Sequence, residues 1–295
     1  MTATLQGWRS SFVFTTVSRF VLPIWFAAFA VVTTANFASH GYLLVDLPVY
    51  RHAAEIAISG GDPWAPAADG LAFAGPPPSL LPFIPLTFLP EAVAVAVGLA
   101  VLLGAAVWTV RALRLPLWWL LFPPLFEALL AGNVDVLVLA FLVVTGPLAG
   151  LAGVFKVYGF VPLLLERRWW AVAVGAAMSL LSLPWWSMFL SHRDAIAATL
   201  DAQSEGFSAW GTWLMIPVVI ALWVLRQAGA SRLVVPALWP DTQAHYAAMS
   251  LPAVRRYPLA AAIIGLTIPF AAPIAVILMA VLHRWSPAPE PEVTP

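Results

Sequence analysis

Cysteine is absent, which excludes disulfides, thiol catalysis and thiolate zinc sites. Charge is scarce: 9% of the 295 residues are charged, where a soluble domain carries about 25%. Fourteen basic residues balance fourteen acidic ones, so there is no basic excess for nucleic acid and no acidic excess for a solvated tail. Lysine occurs once, as Lys156. The five histidines show neither H-E-x-x-H nor H-x-H spacing, which argues against a catalytic metal. What fills the chain is apolar, with 62% hydrophobic residues and a mean hydropathy of +0.90. So few charges cannot cover the surface of a soluble fold of this size. The composition implies an all-α, polytopic membrane protein.

A bilayer core needs roughly 20 apolar residues per helix. Read that way, the sequence predicts about ten transmembrane helices, near 17–38, 73–90, 91–110, 115–131, 134–147, 148–165, 169–190, 211–227, 232–251 and 257–282. The second is short and Pro-rich, the fifth is short, and the ninth contains Asp241 and His245. Arg9 and Arg19 precede the first span and place the N-terminus in the cytoplasm, in a plasma or inner membrane. A cleaved signal peptide is the rival reading of 1–38, but no small-x-small site follows the apolar run. The later basic residues divide between both sides, so they do not orient the chain. With no repeat and no soluble domain, residues 1–285 read as a single transmembrane domain with external loops at about 39–72 and 191–210. The Pro-rich acidic tail 286–295 reads as disordered.

Polar chemistry collects in three segments. The first loop carries Asp46, Arg51, His52, Glu55, Asp62 and Asp69. Its centre predicts a short juxtamembrane helix, with Asp46 at the N-cap, Pro48 in the first turn and Gly60-Gly61 as the stop. Leu47, Tyr50, Ala54, Ala57 and Ile58 form an apolar stripe on that helix, and Arg51, His52, Glu55 and Ser59 a polar one. Asp46 thus reads as a cap, a reactive acid, or both. The second segment is the embedded set Glu127, Asn133, Asp135 and Lys156, groups that are costly inside spans. Lys156 either pairs with Glu127 or Asp135, snorkels to an interface, or meets a ligand phosphate. The third comprises 191–210, with His192, Arg193, Asp194, Asp201 and Glu205, and the stretch Trp239–Tyr246 that interrupts the ninth span. The fifteen tryptophans suit an interfacial belt. Trp64 and Trp210 also suit sugar stacking, with the belt the simpler job for each.

The order of these features resembles a known family. Asp46-Leu-Pro-Val-Tyr50, Ala53-Ala54, Gly60-Gly-Asp-Pro-Trp64 and Phe73-Ala-Gly-Pro-Pro-Pro-Ser-Leu-Leu-Pro82 follow one another after the first span. This is similar to the first external loop and second span of glycosyltransferase family 87, integral-membrane enzymes of the GT-C fold. Ala131-Gly-Asn-Val-Asp135 resembles that family's Gly-Gln-x-Asn turn, with Asn133 where Gln is usual and Asp135 where Asn is usual. Gly153-Val-Phe-Lys156-Val-Tyr158 with Pro162 and Glu166-Arg-Arg-Trp169 resembles its Lys-Pro-x-Pro segment, with Val157 and Gly159 in place of prolines. Pro236 through His245-Tyr246 resembles its late Trp-Asp-His segment. The resemblance covers about 40–250, and the chain is shorter than typical members.

The resemblance implies a GT-C-like fold and transfer of a hexose, mannose by analogy, from a polyprenyl-phosphate sugar to a lipid or glycan acceptor on the outer face. Asp46 stands at the family's catalytic base and would invert the anomeric centre. Tyr50, Arg51, His52, Lys156, Tyr158, Arg193 and His245 are the candidate substrate-binding residues, with the cations facing phosphate. No cofactor and no divalent metal are expected, although Asp46, Glu55, Asp62, His40 and His52 offer oxygen- and nitrogen-rich chemistry. The expected partners are the lipid-linked sugar, the acceptor and membrane lipid, with no nucleic acid. Two other readings fit parts of the pattern: a transporter or flippase, and a non-catalytic relative of the same fold.

Overall fold

The structure, a computed structural model, describes residues 20–65, 73–226 and 229–285. Arg9, Arg19, Asp69 and the tail expected to be disordered lie outside the described residues. Among the described residues all regular structure is helical. In chain order, α1 (Leu22–His40) leads through a tight turn to α2 (Asp46–Ile58), and α3 (Glu91–Ala112) follows. Then α4 (Pro123–Ala131) and α5 (Asp135–Val143) are separated by Gly132–Val134. Next, α6 (Leu151–Phe155) and α7 (Phe160–Leu165) flank Lys156 and a 3₁₀ turn. The chain continues as α8 (Trp169–Leu180), α9 (Leu183–Ser191), α10 (Arg193–Ala202), α11 (Met215–Val224) and α12 (Ser231–Leu238). A 3₁₀ stretch, Ala244–Ser250, precedes α13 (Pro258–Ile264) and α14 (Ala271–Trp285).

By length and composition, α1 with 19 residues and α3 with 22 are able to cross a membrane. A third span is available if α8 and α9, which meet at 79°, count as one. The remaining apolar segments are broken, or carry a helix of no more than 15 residues, as α11 and α14 do. Residues 73–90 form extended chain, a 3₁₀ turn (Pro77–Phe83) and one helical turn (Ile84–Thr87). Pro76, Pro77, Pro78, Pro82 and Pro85 remove the N–H donors a continuous helix needs. Residues 115–131 likewise begin as a 3₁₀ turn and restart at Pro123-Pro124. Outward faces are apolar: Ile24, Val31 and Val32 on α1, Val93, Val97 and Val101 on α3, and Ile216, Val219 and Ile220 on α11 are exposed. Apolar surface of that extent suits lipid rather than water.

The centre is α5. Val136, Val138, Leu139 and Leu142 are fully buried, because α3, α6 and the 244–250 stretch all pack on this helix. Its C-terminal end is tied down by arginines. Arg168 donates to the carbonyls of Leu142 at 3.0 Å and of Val144, and Arg232 donates to Leu142 at 2.8 Å. Glu166 holds both arginines, accepting from Arg232 Nε at 2.6 Å, with Arg168 at 3.7 Å.

The start of α2 interlocks with the end of α4. Leu44, at φ 57°, donates its N–H to Leu130 O at 2.7 Å. Gly132 ends α4 at φ 73°, and a Cβ there would stand 3.0 Å from Leu47 Cγ and 3.3 Å from Leu44 Cα. Only glycine meets both the positive φ and the close approach. The pair sets the first residue of α2 beside the residue after Gly132.

Candidate functional site

Four segments meet at one polar cluster, and three of them are helix breaks. Asp46 comes from the first turn of α2. Asn133 and Asp135 come from the α4–α5 break. Lys156, in extended conformation at φ −143°, and Tyr158 come from the α6–α7 break. His245 and Tyr246 come from the 3₁₀ stretch that follows the break after α12. Within a membrane, irregular backbone is tolerated where it is buried in protein or lines a wet cavity.

Asn133 is the hub. Its Oδ1 accepts the N–H of Asp135 at 2.9 Å, which fixes the amide's orientation. Its Nδ2 then donates to Asp46 Oδ2 at 2.6 Å and stands 3.3 Å from His245 Nε2. Tyr158 donates its hydroxyl to Asp135 Oδ1. Asp135 Oδ2 lies 3.4 Å from His245 Nε2 and has no hydrogen-bond donor. Lys156 Nζ lies 6.0 Å from the Tyr50 ring centre and 5.8 Å from that of Tyr246, at the limit of cation–π contact. Its charge acts on both Asp46 and Asp135.

Burial divides the cluster into fully and partly buried members. Tyr50, Asn133, Asp135, Tyr158, His245 and Tyr246 are buried. Asp46 and Lys156 keep partial exposure, so an acid and an ammonium are the groups a ligand reaches first. Burial pushes the Asp46 carboxyl above the usual carboxylate range, while Lys156 and the Asn133 hydrogen bond pull it back.

Asp46 does not act as the expected cap. The helix begins at Asp46 itself, and no side chain caps it; the carboxylate is turned to Asn133 instead. Of the candidate residues, Asp46, Tyr50, Lys156, Tyr158 and His245 are brought together. Arg51 is not among them: it donates to the carbonyls of Leu86 and Leu89 at 3.3 and 3.1 Å and pairs with Glu55 at 3.2 Å. His52 is exposed, 4.0 Å from Glu55. Arg193 is exposed beside Asp194 at 3.3 Å. Ile58, placed in the apolar stripe, is exposed, whereas Ala53 is buried in that stripe with Leu47 and Tyr50. Trp64 serves neither a belt nor a sugar; it is buried against Phe73 and Phe189 and donates to Gly75 O at 2.9 Å.

The two polar loops do meet. His192 Nε2 lies 2.6 Å from Asp62 Oδ2. Glu205 reaches the cluster's rear, accepting the N–H of Ala244, next to His245, at 2.6 Å. Burial raises the Glu205 carboxyl, and that hydrogen bond opposes the rise. Tyr246 and Glu205 carry no distinguishing spacing in the sequence. The sequence marks Asn133 and Asp135 as embedded polar groups, with Asp135 a candidate partner of Lys156, and does not place either among the substrate-binding candidates. Among the described residues no three His, Asp or Glu side chains are grouped to hold a metal. Two open apolar depressions, about 650 Å³ near Trp108 and about 320 Å³ near Trp25, share no residue with the cluster. Compared with known proteins, the chain matches no family model, no curated protein and no solved structure.

Proposed function

We propose that this chain is an integral-membrane glycosyltransferase that takes a hexose from a polyprenyl-phosphate donor. One observation carries the reading: Asp46 and Lys156, each only partly buried, stand at one cluster of otherwise buried polar side chains. An acceptor hydroxyl there attacks C1 of the sugar. The C1–O bond to phosphate breaks and its electron pair leaves with the phosphate, while the hydroxyl proton passes to Asp46. Attack from the face opposite the leaving group inverts the anomeric carbon. Phosphate is a good leaving group, so one base suffices. Lys156 supplies charge as the leaving phosphate gains its second negative charge. Asn133, Asp135 and His245 are suited to the sugar hydroxyls, and Tyr50 and Tyr246 to its apolar faces.

In this reading the broken segments complete a GT-C-like bundle of about ten crossings in a plasma or inner membrane, with the N-terminus inside. The loops joined by Asp62 and His192 face outward, and no metal is required. Mannose and the lipid or glycan acceptor rest on the family resemblance alone. The convergence of three helix breaks favours a second reading, transport, in which such breaks line a substrate path.

The experiment uses proteoliposomes of wild type and Asp46→Asn with labelled polyprenyl-phosphate hexoses, scored for hexose transfer and for movement of the donor between leaflets. Transfer by wild type alone supports the transferase. Equal transfer by both removes Asp46 as the base. Donor movement without transfer moves the assignment to transport.

A further inference from the structure

We infer that Asp135 and His245 form a one-proton site that is loaded together with an anionic ligand at Lys156. The inference rests on the transferase reading for the identity of the anion, and on the hydrogen-bond geometry for the site itself.

The Asn133 amide cannot turn over: Oδ1 is committed to the Asp135 N–H, and Nδ2 to the Asp46 carboxylate. The second Nδ2 hydrogen therefore faces His245 Nε2 at 3.3 Å, and Nε2 presents its lone pair. Asp135 Oδ2, buried and without a donor, stands 3.4 Å from that same nitrogen. Two acceptors thus confront each other in a buried place, an arrangement whose cost is relieved when a proton sits between them. The other Asp135 oxygen is already served by Tyr158.

Charge decides when the proton arrives. With His245 neutral, one positive charge (Lys156) faces two negative ones (Asp46 and Asp135). A bound phosphodiester adds a third negative charge, and in a low-dielectric setting like charges at these separations are not all tolerated. The other groups facing the pair do not supply the missing positive charge. Tyr50 on α2, Tyr158 at the α6–α7 break and Tyr246 on the 3₁₀ stretch are neutral donors. Asp241, in the break after α12, Glu205, which accepts the N–H of Ala244 beside His245, and Glu127 on α4, on which Glu205 acts, are acids and bring no positive charge. Proton uptake at Asp135 and His245 then accompanies the phosphate.

The test is calorimetry in nanodiscs with farnesyl-phosphate mannose, a phosphodiester that does not itself titrate near neutral pH, in buffers of different ionisation heat. Wild type is expected to take up about one proton on binding near pH 7 and to bind roughly tenfold more tightly per pH unit between about pH 8 and pH 6. Asp135→Asn is the decisive variant, because its amide still accepts from Tyr158 and donates to His245 as the protonated acid would. It should bind at pH 8 as tightly as wild type at pH 6, with no proton uptake. Binding with no uptake, or an Asn variant as weak at pH 8 as wild type, overturns the inference and leaves the transferase reading standing. No binding by wild type at any pH overturns both.

Discussion

Asn133 donates to Asp46 across 2.6 Å, joining residues 87 positions apart. The bond aims the carboxylate away from its own helix, where a cap would have held it, and toward the cluster it shares with Lys156. Asn133 is in this sense a positioning residue. Asn133→Leu should lower kcat about tenfold or more. The acid limb of its kcat/KM profile should move to higher pH, because a bond that favours ionised Asp46 is gone. A lowered kcat with an unmoved limb would show that Asn133 supports the fold and not the base.

Lys156→Met should weaken binding of the lipid-linked phosphate by about 10- to 100-fold, the range for a hydrogen bond to a charged group. It should also displace the acid limb upward, since Lys156 is the strongest influence holding Asp46 down. Lys156→Arg should restore most of the limb's position and less of the affinity, because the fork does not reproduce a point charge. Equal donor affinity in wild type and Met variant removes Lys156 from the site.

Asp46 also sets a stability test. Its folded pKa is raised, so the folded protein holds the proton more tightly than the unfolded chain. Stability is therefore greatest below the ordinary carboxylate pKa of 3.8 and declines as pH rises through the folded value. Asp46→Asn lacks this penalty and makes no lost cap, so it should unfold at or above the wild-type temperature at neutral pH, a gap that closes in acid. A lowered unfolding temperature at pH 7 contradicts the assignment.

Arg51 separates stability from binding. Its guanidinium serves the carbonyls that end the Ile84–Thr87 turn. Arg51→Ala should cost about 1–3 kcal/mol of stability by stranding those acceptors and leave the donor KM within about twofold, a split that thermal unfolding and steady-state kinetics resolve together.

At the far end of α5, Arg232→Met should destabilise by about 2 kcal/mol. That is less than the 3–5 kcal/mol of a fully buried pair, because Glu166 keeps 26% of its side chain exposed. Glu166→Gln should cost less on top of Arg232→Met than it does in wild type, because only the contact with Arg168 is then left to lose. Strictly additive losses in the double variant would show that the two do not act as a pair.

Much of the fold's chemistry was legible in the sequence, and its continuity was not. Hydropathy finds α1 and α3 to within a few residues, because nothing interrupts their apolar runs. It also reads 134–147 and 148–165 as spans, where the chain is in pieces. The boundary near Gly132–Val134 is legible, but the interruption at Lys156 is a single polar position that barely lowers a window average, and it depends on tertiary neighbours such as Asp46, Asp135 and the Tyr50 ring. Asp46, Lys156 and His245 were singled out because a polar residue is rare in this chain. Arg51 looked the same by that criterion, and only the carbonyls of the Ile84–Thr87 turn, brought close by folding, distinguish a clamp from a ligand. Glu205 and Tyr246 lie in segments the sequence marks as polar, but only the geometry brings them to the cluster.

The length of α5 has a consequence for the surrounding lipid. Its nine residues rise about 14 Å in total, with the Asn133 cluster at one end and the Arg168–Arg232 clamp at the other. A hydrocarbon layer is about 30 Å thick. Half a bilayer therefore separates two groups that each prefer water or headgroups. In the transferase reading proposed above, with α5 lying across the membrane, the bilayer is dented or hydrated on at least one side, and a carrier lipid's head has only that shortened distance to descend.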